Sequence, residues 1–144
     1  MAPPLAYPAT RYRPEHTPDL GERAERQRLS TPAVKAFFNI MKRWTVRDVD
    51  ARALLGGVSN GPYYDMKRDP DRLIDADRLT RISYLIGVYK ALHILHGPAL
   101  ADEWVHLPNR NPIFAGQTPL AYMAQGGLVA MQTVRRLLDA RRAG

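Results

Sequence analysis

The segment Leu107–Gly127, LPNRNPIFAGQTPLAYMAQGG, constrains the fold more than any other part of the chain. Its three prolines and three glycines exclude one continuous helix, because each of these residues weakens or breaks helical geometry. A flexible linker has no need for large apolar side chains, and this segment carries several, namely Ile113, Phe114, Leu120, Tyr122 and Met123. The segment therefore predicts an ordered loop that turns between helices and presents residues outward to a partner.

Cap and turn signals divide the N-terminal half into short helices. Thr31-Pro32 predicts the start of the first helix, because a hydroxyl caps a helix well and proline fits its first turn. Thr45 predicts a second start, with Val49 on the face that packs against the core. Gly56-Gly57 ends that helix, and Ser59 predicts the cap of a third.

The C-terminal half is predicted to contain the longest helix. It begins at Asp75 or Asp77 and ends near Gly97, and it is apolar on most sides between residues 82 and 95. A helix of this kind is central and buried. Thr118-Pro119 predicts another start, and Gly126-Gly127 separates a short helix from the last one.

These signals predict an all-α fold with an N-terminal helix-turn-helix bundle, a long central helix and a small C-terminal helical module. Residues 1–30 are a leader rich in Pro, Arg and Glu, which we expect to be partly disordered. Residues 31–78 form the helix-turn-helix half. Residues 79–144 contain the central helix and the C-terminal module.

The predicted helix-turn-helix suggests DNA binding. Two short helices joined by a glycine turn have this pattern, and SNGPYYDMKR occupies the position of the recognition helix. The side chains that can reach bases and phosphates are Ser59, Asn60, Tyr64, Lys67 and Arg68. A helix-turn-helix kept only as a scaffold is the alternative, because Gly61 and Pro62 stand where contacting side chains are usual and nearby aspartates repel phosphate.

Composition limits the class of partner. The net charge of +7 and a pI near 10.0 favour an acidic partner, either nucleic acid or an anionic protein cleft, over a basic surface that is merely solvated. The chain has no cysteine, which excludes disulfides and thiolate chemistry. No apolar run approaches the roughly 20 residues that span a bilayer, and the N-terminus lacks a signal-peptide pattern. We expect a cytoplasmic protein without membrane contact.

No set of residues predicts catalysis. His93 and His96 are three residues apart on the long helix, yet no acidic third ligand stands at a useful spacing. Asp102 and Glu103 are adjacent, so they point to different faces and do not suit paired acid–base work. We therefore predict no catalytic residue, no metal and no cofactor. An enzyme that uses His93, His96 or His106 is the weaker alternative.

Four arginines lie near the C-terminus, Arg135, Arg136, Arg141 and Arg142. Cations in a last helical turn stabilise the helix dipole. A basic tail can also bind an anionic cleft on a partner, and both interpretations stay open.

The C-terminal half resembles the toxin-binding module of Xre/MbcA/ParS-like antitoxins. The residues that carry the resemblance are Trp104, Leu107-Pro108-Asn109, Asn111-Pro112, Phe114, Gly116 and Thr118-Pro119-Leu120. The stretch LLGGVSNGPYYDMKR resembles the Xre-type N-terminal half of the same family. Arg110 interrupts the usual Pro-Asn-Pro run, and Ala115 replaces the first glycine of the usual pair.

The resemblance implies an antitoxin that neutralises a NAD-consuming RES-domain toxin by covering its active site. It also implies a hetero-oligomer, dimerisation through the helix-turn-helix half and binding to the promoter of its own operon. The residues predicted to contact the toxin are Trp104, Asn109, Arg110, Asn111, Ile113, Phe114, Arg135, Arg136, Arg141 and Arg142. The alternative function is a stand-alone helix-turn-helix transcriptional regulator.

Overall fold

The computed structural model describes residues 19–143, and this part of the chain is helical without a strand. Two short 3₁₀ turns, Trp104–His106 and Pro112–Phe114, lie between the last two helices. The α-helices are α1 Arg23–Arg43, α2 Asp48–Leu54, α3 Asn60–Arg68, α4 Ala76–Leu95, α5 Pro98–Glu103 and α6 Pro119–Ala143. The all-α prediction is confirmed. Within the described residues, no helix is both long enough and apolar enough to span a bilayer.

Helix α4 lies at the centre of the fold, as predicted. Asp75 caps it, since its Oδ1 accepts a hydrogen bond of 3.1 Å from the backbone N of Arg78. The helix packs against α1 on one side and against α5 and α6 on others. Ile82 and Leu85 are fully buried, and they belong to one hydrophobic core that extends from Val34 of α1 to Leu138 of α6. The N-terminal and C-terminal halves therefore share this core.

The predicted start of the first helix at Thr31-Pro32 is wrong. Helix α1 begins at Arg23 and includes Pro32, although a proline in a helix interior removes one backbone hydrogen bond. The reason lies in tertiary contacts. Buried Ser30 accepts a hydrogen bond of 3.0 Å from the backbone N of Ile74, and Thr31 donates one of 3.0 Å to Asp71 instead of capping a helix. Of the leader predicted at residues 1–30 to be partly disordered, residues 23–30 belong to α1, and residues 1–18 lie outside the described residues.

Helix α2 also differs from its prediction. Thr45 is not the cap, because its φ of 52° places it in the left-handed region and the helix begins three residues later. The buried face is formed by Ala51 and Leu54, which are three residues apart, and Val49, predicted to face the core, lies off this face and is 56% exposed. The structure has a helix on each side of the predicted glycine turn. A helix-turn-helix function for this pair stays a prediction.

Helix α6 consists of two segments that meet at a kink. Thr118 begins it as predicted, since its Oγ1 accepts a hydrogen bond of 3.2 Å from the backbone N of Ala121. Gly127 interrupts the helix with a φ of 66° and a ψ of −144°, a conformation that suits only glycine. The break predicted at Gly126-Gly127 is therefore present, and the second segment runs on from it to Ala143.

Candidate functional site

The loop between α5 and α6 is held by its own asparagines. Asn109 Oδ1 accepts a hydrogen bond of 2.9 Å from the backbone N of Asn111, and Asn111 Oδ1 accepts one of 3.1 Å from the backbone N of Ile113. Such side-chain to backbone bonds replace a regular turn. Both asparagines were predicted to contact a toxin, and in the structure their side-chain oxygens shape the loop.

The aromatic residues of this segment form the inner side of the loop. Phe114 is fully buried, and its ring makes edge-to-face contacts with Trp104 at 6.1 Å and with Tyr122 of α6 at 5.2 Å between centroids. Trp104 is buried as well. The expectation that these two side chains are presented outward is therefore wrong, because they join the loop to the first segment of α6. Ile113 is partly buried against the same core.

A further contact closes the loop against α6. Gln117 Nε2 donates a hydrogen bond of 2.6 Å to Gln125 Oε1, near the end of the first helical segment. We call residues 107–127 the loop–α6 unit, because the loop and this segment share the aromatic contacts and the glutamine bond. Residues 107–127 therefore form one packed structural unit.

Ala115 carries backbone strain in this loop. Its φ of 50° and ψ of 38° lie in the left-handed region, where a Cβ is unfavourable. The family resemblance places a glycine at this position. The structure explains that preference, because the chain turns here from the 3₁₀ turn at Pro112–Phe114 into Gly116, which has a φ of 82°.

Replacing Ala115 with glycine is expected to raise the free energy of unfolding by about 1 kcal/mol. A left-handed conformation costs roughly 1–2 kcal/mol with a Cβ, and the greater freedom of glycine in the unfolded chain offsets part of this gain. Chemical denaturation measures the change. Ala121→Gly, within helical α6, is the control and should instead lower the value by about 1 kcal/mol. A loss of stability in both variants would contradict the strain at Ala115.

The exposed side chains of the C-terminal half differ from the predicted set. Arg110 of the loop is exposed, as a contact residue must be. Sequence reasoning missed Leu107, which is exposed in the same loop, and Val129, which is 70% exposed just after the kink. Met131, Val134 and Leu138 form the buried stripe of this helix. Val129 does not fit their spacing of three and four residues, and this mismatch could have identified it as exposed.

The C-terminal arginines differ in exposure and in their contacts. Arg135 was predicted to contact the toxin, but its side chain is only 37% exposed and its guanidinium packs against α4. A Cβ added to Gly87 of α4 would lie 2.0 Å from Arg135 Nη1, so the guanidinium fills the space that this glycine leaves. Its Nε also lies 3.3 Å from Asp139 Oδ2. Arg136, Arg141 and Arg142 are exposed, and Arg142 lies 3.7 Å from the same aspartate.

Helix α3 presents the predicted DNA-contacting side chains on one face. Ser59 and Asn60 are exposed at its start, and Tyr64, Lys67 and Arg68 follow at helical spacing on the exposed side. The face is also tied to carboxylates. Asp48 accepts hydrogen bonds from Tyr64 at 3.1 Å and from Lys67 at 3.0 Å, and Arg68 pairs with Asp65. Both cations of the predicted DNA-contacting face, Lys67 and Arg68, thus have an acidic partner within the chain.

Asp48 also receives a hydrogen bond of 2.6 Å from the hydroxyl of buried Tyr63. This bond and the one from Lys67 hold the pKa of Asp48 below its usual value. Burial, together with the bond to Asp48, raises the pKa of Tyr63. The Asp48 carboxylate therefore joins the start of α2 to α3.

Asp48→Ala is expected to lower the free energy of unfolding by about 1–2 kcal/mol at pH 7, because a buried hydroxyl loses its charged acceptor. The folded pKa of Asp48 is lowered, so its contribution is fully present above the unfolded value of about 3.9 and is lost as the pH falls through the folded value. Denaturation at pH 7 and pH 2.5 should show a larger difference between parent and variant at pH 7 than at pH 2.5. Asp50→Ala, which removes an exposed pair with Arg47, is the control and should change little. Equal losses at both pH values would contradict the role of the carboxylate.

Of the three histidines considered for catalysis, His93 and His106 have hydrogen-bond partners, whereas the Nε2 of His96 is buried without one among the described residues. His93 Nδ1 donates a hydrogen bond of 2.9 Å to the carbonyl of Tyr89, and His106 Nε2 donates to the carbonyl of Trp44. His93 Nε2 lies 3.4 Å from Asp102 Oδ1. No three His, Cys, Asp or Glu side chains are placed to hold a metal ion in the part of the chain that the structure describes.

Comparison with known proteins identifies the C-terminal half. Residues 90–144 match the family model of the antitoxin Xre/MbcA/ParS C-terminal toxin-binding domain. A Sinorhizobium fredii protein (strain NBRC 101917 / NGR234), described as uncharacterized protein y4oB, is 36% identical over 112 residues, which cover 77% of this chain and 84% of the relative. No solved structure is significantly similar to the chain. The matched residues contain the loop–α6 unit and the exposed arginines described above, and the chain belongs to the Xre/MbcA/ParS antitoxin family.

Proposed function

We propose that this antitoxin neutralises a NAD-consuming RES-domain toxin, and that it does so by covering the active-site cleft of the toxin. The observation that carries the proposal is the match of residues 90–144 to a toxin-binding domain, in which Leu107, Arg110 and Val129 are exposed. Family resemblance supports the RES identity of the toxin. The described residues supply apolar and cationic groups but no metal cluster, which suits inhibition by occlusion.

The charges of this surface restrict how it fits a NAD-binding cleft. The part of such a cleft that holds the pyrophosphate presents hydrogen-bond donors and positive charge, so arginines do not belong there. Carboxylates that bind ribose hydroxyls are better partners for Arg110 and Arg136. The exposed apolar residues Leu107 and Val129 then provide the buried contact area that hot spots require. In this proposal, Leu107 and Val129 provide the apolar contacts that the sequence predicted for Trp104 and Phe114.

Co-expression tests the proposal. The antitoxin should prevent the NAD loss caused by the RES-domain protein of its own operon, and the purified proteins should form a complex. Deleting residues 128–144 is not informative, because Met131, Val134 and Leu138 belong to the core. Deleting residues 141–144 removes two exposed arginines and leaves the core intact. Continued NAD loss with the complete antitoxin would refute the RES assignment.

Val129→Asp is expected to weaken toxin binding at least about tenfold, because a charge replaces an apolar contact at the proposed interface. Val49→Asp is the matched control, since this valine is 56% exposed and lies on α2 outside residues 90–144. Arg110→Glu and Lys35→Glu form a second pair with equal charge change. Calorimetric titration measures all four. Equal affinities within either pair would place the interface elsewhere.

Autoregulation is the second part of the proposal. It is supported by the exposed face of α3, where Asn60, Tyr64, Lys67 and Arg68 lie together. Binding to the operon promoter requires Lys67 and Arg68 to exchange their aspartate partners for phosphates. Fluorescence anisotropy with the upstream DNA over a salt series tests this. Lys67→Ala should weaken binding and reduce the salt slope, and affinity that is independent of salt would contradict it. Dimerisation through residues 31–78 rests on the resemblance, and sedimentation of the full chain tests it.

A further inference from the structure

Arg81, in the second turn of α4, has surroundings that its charge does not predict. Its side chain is only 18% exposed, and its Nε lies 2.9 Å from Asp77 Oδ2 one turn earlier. An arginine that served solubility alone would extend into water. Here the guanidinium is held close to the backbone of two other elements.

Those elements are far apart in the sequence. A Cβ added to Gly56, in the turn between α2 and α3, would lie 3.3 Å from Arg81 Cζ and Nε. A Cβ added to Gly127, at the kink of α6, would lie 3.5 Å from Arg81 Nη1. Both glycines have positive φ, 95° and 66°. The planar guanidinium therefore lies between two glycines from opposite halves of the chain, more tightly against Gly56 than against Gly127.

Arg81 lies beside Gly127, the residue at which α6 changes direction. Gly127 is the one residue of α6 with non-helical dihedral angles, so its conformation fixes the angle between the two helical segments. The second segment carries Val129 and Arg136, which the proposed function assigns to the toxin. Helix α2 also packs against α6, so Arg81 lies beside the contact between the N-terminal half and this helix.

We infer that Arg81 is a positioning residue for toxin binding. Its guanidinium, held between Gly56 and Gly127, sets the direction of the second segment of α6 relative to the α2–α3 turn. Toxin binding therefore responds to changes in the N-terminal half, even though that half lies outside the toxin-binding domain. The effect on affinity rests on the proposed function, whereas the effect on the direction of α6 does not.

Two adjacent glycines provide a matched test. Gly56→Asn places a side chain against the guanidinium, whereas Gly57→Asn has the same backbone demand, with a φ of 87°, and meets nothing within 4 Å at its Cβ. Asparagine is chosen because it tolerates positive φ better than other non-glycine residues. Only Gly56→Asn should move Arg81 and weaken toxin binding, by about tenfold. Equal toxin affinities in the two variants would overturn the inference.

The direction of α6 can be measured without the toxin. The chain has no cysteine, so Val49→Cys and Arg136→Cys place spin labels on exposed positions of α2 and α6 alone. The parent should give one narrow distance distribution, and Arg81→Ala or Gly56→Asn should shift or broaden it while Gly57→Asn does not. If the Arg81→Ala variant fails to fold, the two glycine variants still decide. If the distance distribution of the Gly56→Asn variant equals that of the parent, the inference is overturned. If the distribution changes but the parent protein does not bind a RES-domain toxin, only the proposed function is refuted.

Discussion

Replacing Leu85 with aspartate is expected to unfold both halves of the protein in one step. Leu85 is fully buried in the middle of α4, which packs against α1, α5 and α6. An isolated carboxylate at such a position costs several kcal/mol, and the lost apolar contacts add roughly 1.5–3 kcal/mol. The sum is comparable with the total stability of a domain of this size, about 5–15 kcal/mol. No folded population should remain at 37 °C.

Circular dichroism and thermal scanning measure this loss. Ser83→Asp is the control, because Ser83 is exposed on the same helix and should leave the melting temperature within a few degrees of the parent. Ile86 is a poorer test position, since it is only partly buried at the edge of the core. A cooperative transition that survives in Leu85→Asp would show that the N-terminal helices have a core of their own.

The parts of the fold that sequence predicts well are those set by local chemistry. Asp75 caps α4 and Thr118 caps α6 because each side chain accepts a hydrogen bond from a backbone N three residues later. Gly127 breaks α6 because its dihedral angles exclude other residues. The apolar pattern of α4 predicts its central place, because a helix without a polar face must be covered on most sides.

Long-range contacts explain the predictions that failed. Thr31-Pro32 has a good local start signal, yet the hydrogen bond between Ser30 and Ile74 joins residues 44 positions apart and keeps α1 helical on both sides of it. Arg135 belongs to a basic cluster in the sequence, and only the opposing Gly87 shows why its guanidinium packs against α4. Neither partner can be found from spacing along the chain.

The candidate site shows the same limit. An apolar side chain in a loop rich in proline and glycine has no periodicity, so the sequence cannot say whether it points inward or outward. Phe114 was predicted to contact the toxin and is fully buried, whereas Val129 was not singled out and is exposed. The family motif locates the toxin-binding domain, and the structure divides its residues between the core and the surface.

Phe114→Ala is expected to lower the free energy of unfolding by about 3–5 kcal/mol and to abolish stable toxin binding. The first effect follows from a fully buried ring that leaves a cavity. The second follows from its two edge-to-face partners, Trp104 before the loop and Tyr122 on α6. Without the ring, the loop that carries Leu107 and Arg110 loses its main attachment to α6. The interface must then be ordered anew in each binding event.

Ile113→Ala separates these effects from a general loss of packing. Ile113 is the neighbouring residue and only partly buried, so its truncation should cost about 1–2 kcal/mol and leave toxin affinity within a few fold. Affinity is measured below the melting temperature of each variant, so that the unfolded fraction does not contribute. A folded Phe114→Ala protein that binds the toxin as tightly as the parent would show that the loop is not part of the interface. The exposed residues of the second segment of α6 would then have to supply the binding energy, and Val129→Asp would become the more damaging change.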